Sequence, residues 1–257
     1  MTHTAKSTST STFIFHLSDP LEAKEKAGIV AQKVEEFGFA LIRGLFDREE
    51  IRSKIPLIKD TLSTLNLLPS SGVPADAIRK NNAKWSIGSQ SGSQTGISRL
   101  MITIINPMYD ADILGLRDTF RKLVILRDAL AMRENTLFDE VLQKPKFNGT
   151  RLQLYPSGGG FMTSHIDKRA IENVSDISAT YIQLVMLLTE KGLDYSSGGA
   201  FVEKNGKFID SEDGSLSGDV LVYSGSTMHG VADIDSTLAF DPLNRIGRVV
   251  ALATIYN

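Results

Sequence analysis

Tyr155-Pro156-Ser157-Gly158-Gly159-Gly160-Phe161-Met162-Thr163-Ser164-His165-Ile166-Asp167 is the stretch on which the reading of this chain turns. A proline and three consecutive glycines mark a turn between two extended runs. On a strand, residues two apart point to the same face, so His165 and Asp167 present an imidazole and a carboxylate side by side. Just upstream, Arg151, Gln153 and Tyr155 share one face by the same period, while Leu152 and Leu154 take the other. Three polar side chains on one face of an inner strand are either solvated or line a polar cavity. The cavity is the expectation here.

Working outward, the chain beyond residue 147 reads as strands separated by Gly- and Pro-rich turns. The candidates are 150–155, 181–188, 200–202, 220–223 and 248–256. Upstream the period changes. Asp19-Pro20 is an N-cap followed by proline at the first helical position, and Leu21, Ala27, Val30 and Val34 carry a helix to Phe37, where Gly38 stops it. Phe39-Ala40-Leu41-Ile42 reads as a short buried strand closed by Gly44. Asp47 caps a second helix, with Glu50 completing a capping-box pair, and Pro56 breaks or kinks it. A further strand is expected over 99–106 and a long amphipathic helix over 110–134. Between them, 69–98 is rich in Gly, Ser, Asn and Gln and holds the only tryptophan, Trp85. A loop of that length is a lid, a substrate loop or a disordered segment.

Helices first and strands after predict an α+β, mainly β fold: a β-sandwich or jelly-roll core braced by N-terminal helices. No repeat or linker divides the chain. The expectation is a flexible tail over 1–12 and a single domain over 13–257, its helical and lid-bearing part at 13–146 and its core at 147–257.

Composition narrows the chemistry. The 257 residues are 42% hydrophobic and 23% charged, an ordinary globular balance, with a formal net charge of -2. No basic stripe with interleaved aromatics points to nucleic acid, and no apolar run approaches the ~18 residues of a membrane span. The Ser/Thr-rich start lacks an apolar stretch and does not read as a secretory signal, so the cytoplasm is the expected location. There is no cysteine, so a metal would be held by nitrogen and oxygen alone. Of the four histidines, His3 and His16 lie in or beside the tail. That leaves His165 and His229 for the strand-rich half. With Asp167 they could form two nitrogens and one oxygen on one face of a metal, leaving positions open for a co-substrate and O₂.

These features, in this order, resemble the 2-oxoglutarate/Fe(II)-dependent oxygenase superfamily, whose core is a double-stranded β-helix. Tyr155-Pro156-Ser157-Gly158 followed by His165-x-Asp167 is similar to the family's tyrosine, turn and first ligand strand. Ser197-Gly198-Gly199-Ala200-Phe201 resembles its Gly-Gly turn, and Gly218 to Tyr223 through His229-Gly230-Val231 its strand and distal histidine. Gly247-Arg248-Val249-Val250-Ala251 resembles its last strand, whose arginine binds the far carboxylate of 2-oxoglutarate. The likeness covers roughly 147–257. It implies His165, Asp167 and His229 as iron ligands and Arg248 as the 2-oxoglutarate anchor, joined by Tyr155 and Gln153. Arg245 rivals Arg248, and an excess of polar loop at 233–244 separates them from His229. An arginine suits this role because its planar fork pairs bidentately with a carboxylate and keeps its proton.

The resemblance further implies Fe(II), 2-oxoglutarate and O₂ as cofactor and co-substrates, with succinate and CO₂ released. A carboxylate at Asp167 favours a hydroxylase, or a desaturase or cyclase variant, over a halogenase. The substrate is expected to be a small polar molecule, an amino acid or another carboxylate-bearing metabolite, met by Arg151, Arg169 and Trp85. A cupin-like metal hydrolase or isomerase and a non-catalytic binding module are the rival classes.

Overall fold

The computed structural model describes residues 13–69, 79–90, 97–139, 141–143, 147–167 and 182–256. The tail expected over 1–12 lies outside them. The chain opens with strand β1 (Ile14–His16), a 3-10 turn (Pro20–Glu22), helix α1 (Ala23–Phe37), strand β2 (Ala40–Arg43), and helices α2 (Arg48–Ser53) and α3 (Ile55–Thr64). Local chemistry sets these bounds. The Asp19 carboxylate accepts from the Leu21 N–H at 2.7 Å, and Gly38 ends α1 in the left-handed conformation at φ 89°. Asp47 caps α2 by accepting from Glu50 N at 2.8 Å. The break precedes Pro56, which sits in the first turn of α3, where a missing N–H leaves no hydrogen bond unmade.

Strands β3 (Leu67–Pro69), β4 (Asn82–Ser86), β5 (Ser89–Gln90) and β6 (Ile97–Ile105) follow, then helix α4 (Arg117–Leu130). Two expectations change here. The stretch 69–98 is not one loop, because β4 and β5 lie within it and pair with β6. The helix expected over 110–134 is confined to Arg117–Leu130. The Asp112 carboxylate accepts from both Leu116 N and Arg117 N at 3.1 Å, and Gly115 takes φ 65°, so the preceding residues form a turn that starts the helix late.

The remaining strands are β7 (Phe147–Pro156), β8 (Phe161–His165), β9 (Ile182–Leu187), β10 (Gly199–Lys204), β11 (Lys207–Asp210), β12 (Val220–Ser224), β13 (Met228–Ala232) and β14 (Gly247–Tyr256). The larger sheet runs β1-β2-β12-β9-β14-β7-β6 and continues into β4 and β3. The smaller runs β8-β13-β10-β11. Strand β6 belongs to both, pairing Ser98 with Met162 on one side and Ile102 with Leu154 on the other. The result is a jelly roll with helices packed on its larger sheet.

Alternation divides the larger sheet into two environments. Ile102, Ile104, Leu152, Leu154, Val249 and Ala251 face the helices and pack with Val30 of α1 and Phe120 and Leu123 of α4. Burial of each such aliphatic side chain contributes roughly 1.5–3 kcal/mol. The alternate residues, among them Gln153, Val185, Val250 and Leu252, face the gap between the sheets. Arg127 fastens α4 to this sheet: fully buried, it donates to Asp128, Thr136, Asn148 and the Ala253 carbonyl. The stretch 233–244 is more than a polar loop. Asp235 is buried and accepts from Ser157 Oγ at 2.6 Å, Ser196 N at 2.7 Å and Ser197 N at 3.0 Å, stitching the insertion to the Ser157 turn.

Candidate metal centre

His165 closes β8 and His229 is the second residue of β13. The two are register partners in that antiparallel pair, which puts both rings on one face with their centroids 4.4 Å apart. Asp167 follows two residues after His165, held by its N–H donating to the Gly225 carbonyl at 3.1 Å. Its Oδ1 lies 3.9 Å from His165 Nε2 and its Oδ2 3.8 Å from His229 Nε2. One donor atom from each of the three residues lies within 4.8 Å of the others, and all three residues are buried.

The rings are oriented from behind. His165 Nδ1 stands 2.9 Å from the Thr163 carbonyl, and His229 Nδ1 stands 2.9 Å from the Thr227 carbonyl. A carbonyl only accepts, so each Nδ1 carries the hydrogen and each Nε2 turns its lone pair toward Asp167. Burial, and then the neighbouring His229, hold His165 below the ordinary imidazole range, so it stays neutral. Tyr223 packs on His229 at a centroid distance of 4.5 Å, its hydroxyl pushed well up by burial and then by the Asp167 carboxylate. Two imidazoles and a carboxylate, with no thiolate, suit a divalent iron, which they would hold from one side.

The triad borders a cavity between the sheets. On its far wall Arg248, the second residue of β14, pairs in register with Tyr155. Burial alone would lower the Arg248 pKa, but Glu212 overrides it and raises it. Arg248 Nε donates to both oxygens of Glu212 at 2.8 and 3.0 Å, and Nη2 also donates to it. Glu212 further accepts from Tyr195 Oη at 2.9 Å and Ala200 N at 3.0 Å. Burial pushes the Glu212 carboxyl up, and Arg248 more than offsets this, leaving it below the ordinary range. Glu212 occupies the Nε side of the guanidinium, so the Nη1–Nη2 edge remains for a second carboxylate. Gly199 makes room for this pair: at φ 116°, a Cβ there would stand 2.7 Å from Glu212 Oε2. Burial pushes the Tyr155 hydroxyl up to about 12, so it remains a donor.

No family model and no curated protein matches the sequence. Solved structures do. A 2OG-Fe(II) oxygenase family protein of Caulobacter crescentus is 14% identical, covering 96% of this chain and 87% of its own, with a TM-score of 0.53. SnoN, the non-heme alpha-ketoglutarate-dependent epimerase of nogalamycin biosynthesis, is 13% identical, covering 91% of this chain and 84% of its own, at 0.53. A C-terminally truncated protein of Neurospora crassa, solved in apo form, is 16% identical, with 100% of each chain covered, also at 0.53. This chain has the fold of the 2OG-Fe(II) oxygenases.

Within that oxygenase fold the other residues singled out from sequence fall into three groups. Arg151, Gln153, Tyr155 and Arg248 line the cavity together with the triad. Arg245 does not: it donates to the Pro242 and Asn244 carbonyls at 2.9 and 3.0 Å and borders a separate cavity against Ile55 and Lys59 of α3. Three residues from Arg248, and outside the strand, it is carried to the other side of the sheet. Trp85 also faces away, packing on β4 against the helix-side core. Arg169 lies outside the described residues. Sequence reasoning missed Glu212 and Tyr195, which lie outside the core strands and show no period. Tyr223 was findable, because Val220 and Val222 alternate with it onto the helix side.

Proposed function

We propose that this chain is an Fe(II)- and 2-oxoglutarate-dependent dioxygenase that hydroxylates an unactivated C–H bond of a small polar metabolite. In that reaction one oxygen atom of O₂ enters the substrate and the other enters succinate, with CO₂ released. The observation that carries the reading is the pairing of His165 with His229 across β8 and β13, with Asp167 3.9 and 3.8 Å from their Nε2 atoms. Iron, when bound, supplies the activation of O₂. The chain's own residues do the rest. His165, Asp167 and His229 would hold the metal. Arg248 offers its Nη1–Nη2 edge to the far carboxylate of 2-oxoglutarate, and the protonated Tyr155 supplies a donor beside it. Buried aliphatic walls such as Val185 and Leu252 keep bulk water from the reacting face. We also assign the reaction to the cytoplasm; among the described residues no helix is long and apolar enough to cross a membrane.

The test is anaerobic loading with ferrous ion and 2-oxoglutarate, followed by O₂ and measurement of succinate. The expectation is succinate from the wild type, none from Asp167→Ala or His229→Ala, and a sharply raised 2-oxoglutarate requirement in Arg248→Met. Unchanged succinate release from either ligand variant refutes the reading. Product that forms without O₂ or 2-oxoglutarate would assign a hydrolase or isomerase instead. Once a substrate is found, product mass separates oxygen insertion from the hydrogen loss of desaturation or cyclisation.

A further inference from the structure

Two cations on the cavity side of the larger sheet are given no role by the proposed binding of the metal and 2-oxoglutarate. Lys84 of β4 is register partner of Thr103, which is partner of Gln153, so Lys84 stands on the same face as Gln153, two strands away. Arg151 lies two residues from Gln153 on that face and lines the cavity. Strands about 4.8 Å apart leave the two side chains within reach of one another. Arg151 Nη1 donates to Thr254 Oγ1 at 2.9 Å, and no carboxylate among the described residues pairs with either cation. Both are only partly exposed. Burial, and then the charge of Arg151, hold Lys84 below the ordinary lysine range. Two like charges in a half-buried wall oppose each other, and an anion between them relieves both.

The co-substrate does not account for them. Its far carboxylate is served by Arg248, which pairs with Tyr155 and so stands four residues along β7 from Arg151. Its other end belongs at the metal. We infer that Lys84 and Arg151 form the binding site for an anionic group of the primary substrate, a carboxylate, phosphate or sulfate, and so select for an acidic metabolite. This rests on the oxygenase reading, in which the substrate is held on the same wall beside the triad.

The experiment is calorimetric titration of anaerobic, Fe(II)-loaded protein, first with 2-oxoglutarate to saturation and then with inorganic phosphate or acetate, with acetamide as the uncharged control. Wild type should bind one or both anions after saturation, and not acetamide. The probe that binds identifies the favoured geometry, tetrahedral or planar. Lys84→Met and Arg151→Met should each weaken that second binding by roughly ten- to a hundredfold, the loss of one charge-assisted hydrogen bond. Arg151→Lys should recover part of it, which separates lost charge from a misfolded wall, and Arg245→Met should leave it unchanged. Failure of both anions to bind the saturated wild type overturns the inference, as does undiminished binding in the Lys84→Met/Arg151→Met double variant. The first titration tests the underlying reading separately: if 2-oxoglutarate itself does not bind, the oxygenase assignment fails, whatever the second titration reports.

Discussion

Replacing Glu212 by glutamine isolates the buried ion pair it forms with Arg248. Arg248 is 2% exposed and Glu212 1%, so neither charge has water to fall back on. Glutamine keeps the volume and an acceptor for Tyr195 or Ala200, and removes only the charge opposite the guanidinium. An uncompensated buried charge costs about 3–5 kcal/mol. In a chain of this size each kcal/mol moves Tm by roughly 2–4 °C, so Glu212→Gln should lose about 6–20 °C. The assay is urea and thermal unfolding of Glu212→Gln, Arg248→Met and the double variant. The double variant should cost far less than the sum of the singles, because an apolar replacement of a whole buried pair is often nearly neutral. A loss below about 1 kcal/mol in Glu212→Gln, or strict additivity in the cycle, would refute the claim that these groups form one desolvated ion pair.

Arg127→Leu should destabilise by about 3–5 kcal/mol in urea unfolding, because Asp128, Thr136 and Asn148 lose a shared buried donor; a change within the range of a surface substitution would mean the network does not hold α4 to the sheet. Glu190, held by its hydrogen bonds to Arg48 at about 2 rather than 4.5, has a depressed folded-state pKa. Its contribution is therefore fully present above pH 4.5 and lost as pH falls toward 2, so the stability gap between wild type and Glu190→Gln should close across that window; a gap constant with pH would contradict the ion pair. Gly199→Ala forces a Cβ to 2.7 Å from Glu212 Oε2 at φ 116°, and should cost about 1–3 kcal/mol while weakening 2-oxoglutarate binding; equal Tm and affinity would show that the Glu212 pocket has slack.

Much of this protein was legible because the signals are local. Asp19, Gly38 and Asp47 act within one turn of chain, and the helix bounds they set follow directly. The two-residue period of β7 put Arg151, Gln153 and Tyr155 on one face, and the two-residue spacing of His165 and Asp167 brought an imidazole and a carboxylate together, although β8 ends at His165 and Asp167 lies just beyond it. Where a side chain overrode the local pattern, as Asp112 does at the start of α4, the boundary was misread. Trp85 was misplaced for a related reason: once 82–86 is a strand, alternation gives the cavity face to Lys84 and the helix face to Trp85.

What remained needed the fold itself. That His229 stands opposite His165 depends on β13 pairing with β8, and that Arg248 rather than Arg245 enters the cavity depends on where β14 begins against Pro156. Glu212 reaches Arg248 from 36 residues away, and Lys84 shares a wall with Arg151 only because β6 lies between their strands. Strand register between distant segments is decided by the packing of the whole sheet, and no short window of sequence contains it.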